Sequence, residues 1–600
     1  MKQTSRAAGG TSGGGAGRVR VAAVVACVGL GAMVGGNGGC VGPLGARESD
    51  RARSLPTERL RTVELLKLDD FRRPAPKGAA ASELEAAVRS RFEGMERYEL
   101  GLDACRAAVL TNNLDLKVAL VDPTLAGESL RAEEAKFNAV FTPSVRYRND
   151  DSPTFQVTNP NQQEVVSGDL GLTVPMRDGG RVSADLLSTY TQTNNAFVTS
   201  NNSYQNALRF SVTQPLLRNG GRNATMQSIR IAAYEGQAAE ARTKLQVIAQ
   251  LASAERAYWR LFAARRELDV RVQQFELARE QLGKAQRRVD AGATSEVEII
   301  RAQSGMADRV EAIIVAENAI RQQQRELKRL MNTPGLDLES RVLVTPTTDP
   351  SPTPFELDAE ALAGGAIESR MELAQVELQL LQDATTIEFN RNQVLPVLNL
   401  DASYTFAGLG TTFSGSNRVL TDGQFQSGSF GFSGEIPLGN EAAEARLRRA
   451  VLTRLQRLIS RESRRKTIRQ EVFDAVDRIG AGWQRILAAR QATVLAARTL
   501  EAEQRQFDVG QRTSTDVLDA AARLADAQSS EIRALSDYQS AQVDLAVATG
   551  TLLGSARVDW TPIGGNEAER AARAVSAPGE VPPTFEPERP APISESGEPR

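Results

Sequence analysis

The chain has 600 residues, three cysteines, no histidine and a formal net charge of −2. The small net charge argues against nucleic acid as a partner, and the lack of histidine excludes Ser-His-Asp and Cys-His catalysis. Charged residues make up 24% and aromatic residues 5%, which is typical of long exposed helices and not of a large globular core. We therefore predict a protein that is not an enzyme and that holds no cofactor or metal.

Residues 1–40 have the pattern of an export signal. Basic residues precede the apolar run 21–34, which is too short to span a bilayer. The run that ends in Cys40 is similar to a lipoprotein cleavage site, although Asn37 stands where such sites carry Leu. Cys27 fits that local pattern better but would leave too short an apolar run before it. Lipidation at Cys40 and ordinary secretion both stay open.

Residues 41–98 show no clear periodicity and are predicted to be a linker. Helical spacing then begins, with apolar residues at Leu102, Cys105, Val109 and Leu116. Cys105 is predicted to be a buried small apolar residue. A second helix is expected from about residue 125 until shortly before Pro143.

The hydrophobic period then changes from about 3.6 to 2, which is typical of two-faced strands. Alternating apolar and polar residues predict strands at 143–150, 168–176, 180–190 and 206–214. The segments between them are rich in Asn, Gln, Ser and Thr and are predicted to be loops in water.

A helical pattern follows over 223–289, which corresponds to a helix about 100 Å long. After a hairpin, a return helix is expected to end near Asn332. These elements make a first repeat at 99–335, and a Pro- and Thr-rich linker at 336–355 follows it.

A second repeat at 356–554 has the same order, with strands within 396–437 and long helices over 440–553. The first repeat has 72 residues from Pro143 to Pro215, whereas the second has 41 from Pro396 to Pro437. An additional β-hairpin in the first repeat is the simplest interpretation. Residues 560–600 are dense in Pro, Glu, Ala and Ser and predict a disordered tail.

One short pattern occurs in both repeats, at a constant offset of 218 residues. A glycine is followed by Ser or Thr and then by an acidic residue, each three positions further on. The glycine suits a helix C-terminus, and the hydroxyl and carboxylate suit the N-cap and capping box of the next helix. Each copy therefore predicts a tight helical hairpin. The matched residues are Gly292, Ser295, Glu298, Ile299, Ile300 and Ala302 in the first copy, and Gly510, Thr513, Asp516, Val517, Leu518 and Ala520 in the second.

An exported chain with two-faced strands and no membrane-spanning helix points to the bacterial outer membrane, where closed barrels are the viable strand structures. The few strands of one chain cannot close a barrel alone, and the narrow apolar stripes of the long helices also need partners. We therefore predict an oligomer.

Over about residues 100–553 the chain resembles the TolC-like outer-membrane efflux proteins. The resemblance rests on the doubled hairpin pattern, on Gln214-Pro215-Leu216 after the strands and on the Ala-rich first helix. It implies a mainly α fold with a small β portion, in which a homotrimer forms an α-helical barrel continuous with a shared outer-membrane β-barrel. It also implies a passive, gated exit channel for drugs, small molecules or proteins, with a periplasmic adaptor and an inner-membrane pump as partners.

The resemblance assigns roles to residues of the two hairpins. The tip that would bind the adaptor comprises Ala291, Gly292, Ser295, Val509, Gly510 and Thr513, and the gate comprises Glu298, Arg512, Asp516 and Asp519. An ion pair between Arg512 and Glu298 would hold the tip closed, and Phe507 stands where the family's best-known member has Tyr.

Two alternatives remain open on the sequence alone. Arg512 and Glu298 are equally compatible with solvated surface charges, because exposed ion pairs are worth under about 1 kcal/mol. The whole chain is also compatible with a structural coiled coil that tethers the cell envelope without conducting. Such a tether would not need amphipathic strands.

Overall fold

The computed structural model describes residues 96–151, 153, 162–194, 198–292 and 295–558. The predicted export signal with Cys40, nearly all of the linker 41–98 and the tail 560–600 lie outside these residues.

The first half runs from a short strand through three helices and four strands into two long helices. The elements are β1 (Arg97–Leu100), α1 (Leu102–Asn112), α2 (Leu114–Ala119), α3 (Asp122–Glu134), β2 (Val140–Asp151), β3 (Gln162–Pro175), β4 (Arg181–Thr193), β5 (Asn202–Pro215), α4 (Arg222–Thr225), α5 (Gln227–Asp290) and α6 (Val297–Met331). Each of the four predicted strand segments overlaps one of the strands β2 to β5. The strands extend beyond the alternating segments because backbone pairing continues through their polar ends.

The second half repeats this order with two long strands instead of four. Its elements are β6 (Leu343–Pro346), α7 (Ala359–Ser369), α8 (Met371–Gln393), β7 (Val397–Gly410), α9 (Phe413–Thr421), β8 (Phe425–Glu435), α10 (Glu441–Asp508), α11 (Ser514–Ala548) and α12 (Leu552–Ser555). Helices α5 and α10 have 64 and 68 residues. At about 1.5 Å per residue each is close to 100 Å long, as the sequence predicted.

The six long strands form one antiparallel sheet in the order β2-β3-β4-β5-β7-β8. The sheet stays open within the chain, and β2 and β8 are its two edges. The additional hairpin of the first half is therefore part of the same sheet as the strands of the second half.

The sheet has two chemically different faces because successive side chains in a strand point to opposite sides. One face, here called the apolar face, carries aliphatic and aromatic residues from every strand, including Phe141, Leu172, Leu186, Phe210, Tyr404 and Phe430. The other, here called the polar face, is crossed by side-chain hydrogen bonds. Ser144 donates to the Asp169 carboxylate over 3.2 Å, and Thr213 donates to Asp401 over 3.0 Å.

Helix α9 lies on the apolar face, against the ends of β5 and β7. The buried Ser416 hydroxyl donates to the Gly408 carbonyl over 2.8 Å and accepts from the Asn206 amide over 3.1 Å. A side chain at Gly408 or Gly410 would collide with the backbone around Ser416. The glycines of β7 therefore let the backbone of α9 approach the sheet.

The long helices lie side by side in the order α6-α5-α11-α10. One core cluster, which α5 and α6 share with α1 and α11, includes Leu251, Tyr258, Leu261 and Leu327, each fully buried. Burying such a side chain stabilises the fold by about 1.5–3 kcal/mol. Within the described ranges, no helix is both long and apolar enough to cross a membrane.

Strands β1 and β6 pair in parallel beside this core. The Tyr258 hydroxyl donates to the Leu100 carbonyl over 3.1 Å and accepts from the Thr348 amide over 3.0 Å. β1 begins inside the segment 41–98 and β6 lies inside 336–355, so the ends of these predicted linkers are ordered by pairing with each other. The prediction for Cys105 is confirmed, since the side chain is buried and burial raises the pKa of its thiol to about 12.

Candidate functional site

The two hairpins lie at the far ends of the long helices, and a glycine turns the chain in each. Gly292 follows α5 with a φ of 72°, and Gly510 follows α10 with a φ of 80°. A residue with a Cβ is strained in this left-handed conformation, whereas glycine adopts it readily. The glycines therefore act as the sequence predicted, as C-terminal stops of the two long helices.

The second hairpin closes α10 with the double hydrogen bond of a Schellman motif. The Gly510 amide donates to the Phe507 carbonyl over 2.9 Å, and the Gln511 amide donates to the Gln506 carbonyl over 2.9 Å. In the first hairpin the Gly292 amide donates to the Val289 carbonyl over 2.8 Å. The turn after each helix thus satisfies carbonyls of its last turn.

The second hairpin also carries the predicted capping box at the start of α11. The Asp516 carboxylate accepts from the Thr513 amide over 2.9 Å, and the Thr513 hydroxyl accepts from the Asp516 amide over 3.4 Å. The hydrogen bonds from the Thr513 backbone and hydroxyl hold the pKa of the Asp516 carboxyl below its usual range. This part of the prediction is confirmed.

The first hairpin differs from the prediction, since α6 begins only at Val297. Ser295 accepts from the Val297 amide over 3.4 Å, and the Glu298 carboxylate pairs with Arg301 over 2.9 Å. Glu298 stands at the second helical position, where its side chain cannot return to the amide of the capping residue. The predicted capping box is therefore wrong for this copy.

The predicted ion pair between Arg512 and Glu298 is not formed within the chain. Arg512 lies 3.2 Å from the Glu503 carboxylate and donates to Gln506 over 3.0 Å, so its guanidinium is tied to α10 of its own hairpin. Arg512 and Glu298 nevertheless line the same cleft, which has a volume of about 420 Å³.

A residue that the sequence reasoning missed joins the two hairpins. Arg288, in the last turn of α5, donates to the Phe507 carbonyl over 2.6 Å and to the Asp508 carbonyl over 3.2 Å. Its guanidinium carbon also lies 4.0 Å from the centre of the Phe507 ring. Lys284, one turn earlier, lies 3.8 Å from the Asp508 carboxylate. A cation near the C-terminus of α10 also interacts favourably with that helix dipole.

The remaining predicted residues divide by burial. Val509 is 72% exposed, and Ala291, Gly292, Gly510 and Asp519 are exposed as well. Phe507 is buried beneath Arg288, against the apolar residues Leu500 and Val517. The tip thus presents a small apolar and glycine surface above an aromatic core.

Across the parts of the chain that the structure describes, no group of three or more acidic or thiol side chains could hold a metal ion. The cleft at the hairpins is lined mostly by the charged ends of side chains and by turn backbone.

Comparison with known proteins places both hairpins in a recognised family. A family model described as "Outer membrane efflux protein" matches residues 185–333 and 362–551. Outer membrane protein TolC of Vibrio cholerae is 26% identical over 302 residues, which are 50% of this chain and 66% of that protein. TolC of Salmonella enteritidis is 29% identical over 186 residues, 29% of this chain and 38% of that protein. The chain thus spans about two thirds or less of these relatives.

The fold is similar to that of the CmeC outer membrane channel of Campylobacter jejuni. The TM-score is 0.57 at 14% identity, and the match covers 78% of this chain and 88% of that one. The family match takes in more than half of the chain, with all four long helices in both halves. The chain belongs to the outer membrane efflux protein family.

Proposed function

We propose that three copies of this chain form a passive outer-membrane exit channel of a tripartite efflux or type I secretion system. The β-sheet would lie in the outer membrane and the long helices would extend into the periplasm. An inner-membrane pump would supply the energy through a periplasmic adaptor. The resemblance set out above implies three copies.

The observation that carries this proposal is the open six-stranded sheet with one apolar and one polar face. Its apolar face exposes large side chains that a soluble protein buries, such as Phe430 at 70% and Val145 at 84%. Its edge strands have unpaired backbone groups, which cannot remain unpaired in lipid. Neighbouring copies that supply the missing strands would satisfy both requirements and enclose the polar face around a pore.

We place the adaptor contact at the hairpin tip, on Ala291, Gly292, Ser295, Val509, Gly510 and Thr513. These residues are exposed and lie at turns about 100 Å from the sheet. The exposed Val509 beside Gly510 offers a small apolar patch with accessible backbone, which suits the packing of a partner hairpin.

We place the gate at the hairpins, with Glu298 and Arg512 in the cleft between them and Asp516 and Asp519 at the adjoining start of α11. Arg512 would act by fixing the turn of the second hairpin to α10 through Glu503 and Gln506, and not by pairing with Glu298 inside the chain. Arg288 would keep the two hairpins together. Opening would require these charged contacts to separate.

Single-channel conductance of the purified protein in planar bilayers tests the proposal. Loss of an exposed ion pair shifts a closed-to-open equilibrium by about 1 kcal/mol or less, so Arg512→Ser should raise the open population up to roughly fivefold. Arg505→Ser is the matched control, because Arg505 is an exposed arginine near the end of α10 that pairs with Glu501 of the same helix over 3.9 Å. Protein that inserts correctly but never conducts would favour the alternative of a structural tether.

A further inference from the structure

We propose that the additional hairpin β3–β4 is a full part of the membrane wall, so that three copies close an 18-stranded barrel as wide as the helical tunnel below it. Six strands from each of three copies make eighteen. This inference rests on the proposed trimeric channel and adds the width of its exit.

In the sheet, the hairpin β3–β4 lies between β2 and β5. Each of its strands pairs along its whole length with a neighbour on both sides, β2 and β4 for β3, and β3 and β5 for β4. The hairpin is therefore internal to the sheet. With the hairpin outside the wall, β2 and β5 would lose their present partners β3 and β4 and would have to pair with each other.

The apolar face and the polar face of the sheet both continue through the hairpin β3–β4. One row of paired residues runs Phe141, Leu172, Ala184, Phe210 and Tyr404 across five strands, all on the apolar face. The adjacent row on the polar face contains Thr173, Ser183, Ser211, Ser403 and Ser429. The hairpin thus carries its apolar side chains on the same face as the neighbouring strands, and its polar side chains on the opposite face.

The two edges of the sheet would allow neighbouring copies to pair and close a barrel. An even number of antiparallel strands makes the edge strands β2 and β8 run in opposite directions. The β2 edge of one copy can therefore pair antiparallel with the β8 edge of the next, as every other pair in the sheet does. Both edges carry exposed apolar residues, Val145 and Tyr147 on β2 and Phe430 and Phe432 on β8.

The number of strands sets the width of the barrel. With strands about 4.8 Å apart and tilted by about 40°, an 18-stranded barrel has a circumference of about 113 Å and a backbone diameter of about 36 Å. Two strands from each half would give twelve strands and a diameter of only about 24 Å. Four long helices per copy give twelve helices, whose spacing of about 9–10 Å makes a ring of about 110–120 Å. Six strands per copy thus match the circumference of the tunnel, and the exit does not narrow at the membrane.

A tryptophan scan with brominated lipid tests where the hairpin lies. Leu172→Trp and Thr173→Trp are adjacent on β3 and face opposite sides, and Phe210→Trp and Ser211→Trp are the matched pair on β5. Bromine quenches only indoles that lie in the bilayer. We expect quenching above the parent protein for Leu172→Trp and Phe210→Trp, and none for Thr173→Trp and Ser211→Trp.

The outcomes separate the two proposals. Quenching of Phe210→Trp without quenching of Leu172→Trp would place β3–β4 outside the wall and overturn this inference, while the channel proposal would stand. No quenching at either position would overturn the membrane location itself.

A deletion measures the width directly. Removing residues 153–193 takes out β3 and β4 and leaves β2 to pair antiparallel with β5 with each residue on its original face. Electron microscopy of the trimer in lipid nanodiscs should show the barrel diameter falling by about a third, with the helical tunnel unchanged. An unchanged barrel diameter would overturn the inference. If the deletion variant fails to fold, the diameter of the intact protein decides the question, because about 36 Å and about 24 Å are readily distinguished.

Discussion

The two hairpins share one sequence pattern and one glycine turn, yet the chain holds them in different ways. The second hairpin is closed by its own local bonds, with a Schellman motif before Gly510 and a capping box after it. The first hairpin has the same glycine conformation, but α6 starts later and Glu298 pairs forward with Arg301. The duplicated sequence thus gives two turns with the same glycine conformation and different side-chain contacts at the start of the helix that follows.

The contact between the hairpins is asymmetric in the same sense. The first hairpin provides Arg288, and the second provides the backbone carbonyls and the Phe507 ring that receive it. At the corresponding position of the second copy stands Gln506, whose side chain binds Arg512 instead. The two copies of the pattern therefore make different contacts at equivalent positions.

The largest expected effect comes from Arg288→Ala, which removes the contact of Arg288 with Phe507 and Asp508. Loss of a charge-assisted hydrogen bond and of a cation–π contact should lower the local stability of the last turn of α10 by about 2 kcal/mol. Hydrogen exchange of amides near Asp508 measures this. Arg287→Ala is the control, because the neighbouring arginine is exposed and should change the exchange little. Equal effects of the two substitutions would contradict the assigned role.

Replacing the glycine of each turn by alanine should destabilise the two hairpins to the same extent. Gly292→Ala and Gly510→Ala each force a Cβ into the left-handed region at a cost of about 1–2 kcal/mol. An added Cβ meets nothing within 4 Å at either site, so the cost is one of backbone conformation alone. Chemical denaturation followed by a probe at each tip should show matching losses. A clear difference would mean that the two turns are not equivalent.

The caps should respond differently. Thr513→Ala removes an N-cap hydroxyl from a complete capping box and should destabilise the start of α11 by about 1 kcal/mol. Ser295→Ala should cost only a few tenths of that at the start of α6, since the Ser295 hydroxyl makes one 3.4 Å bond there. Exchange rates of amides in the first turn of each helix provide the comparison. Similar rates in both variants would show that the capping box carries no extra stability.

The smallest effect concerns pH and only the second hairpin. The pKa of Asp516 is lowered in the fold, so the ionised form stabilises the cap. That stabilisation is fully present above the ordinary carboxyl pKa of about 4 and is lost as the pH falls through the lower folded value. Exchange in the first turn of α11, corrected for intrinsic rates, should therefore increase on acidification, whereas in Asp516→Asn it should be high at every pH. Acid-independent protection in the unaltered protein would contradict this.

Local chemistry made much of the fold predictable. The change from period 3.6 to period 2 located the strands, and the Gly-x-x-Thr-x-x-Asp pattern gave the second hairpin with its capping box. The capping box predicted for the first copy is wrong. Ser295 and Glu298 have the residue types and spacing of such a box, but the helix starts two residues after Ser295.

Other features depend on contacts that spacing cannot reveal. Arg288 meets Phe507 across 219 positions, and β1 meets β6 across the whole first half. Helix α9 is only nine residues long, and Ser414, Gly415 and Ser416 near its start are weak helix formers. Its position depends on Gly408 and Gly410, which leave space for it on the sheet.

If the sheet lies in the outer membrane as proposed, helix α9 also limits how deep it can sit in the bilayer. Its hydrogen-bonded polar groups cover the apolar face at the level of Gly408, so the lipid tails of such a bilayer would end below that level. From Gly408 down β7 to Leu398, a tilted strand rises about 25 Å, which equals the usual height of the apolar band in outer-membrane proteins. In the proposed arrangement the helix would act as a depth stop that fixes the height of the long helices relative to the membrane surface.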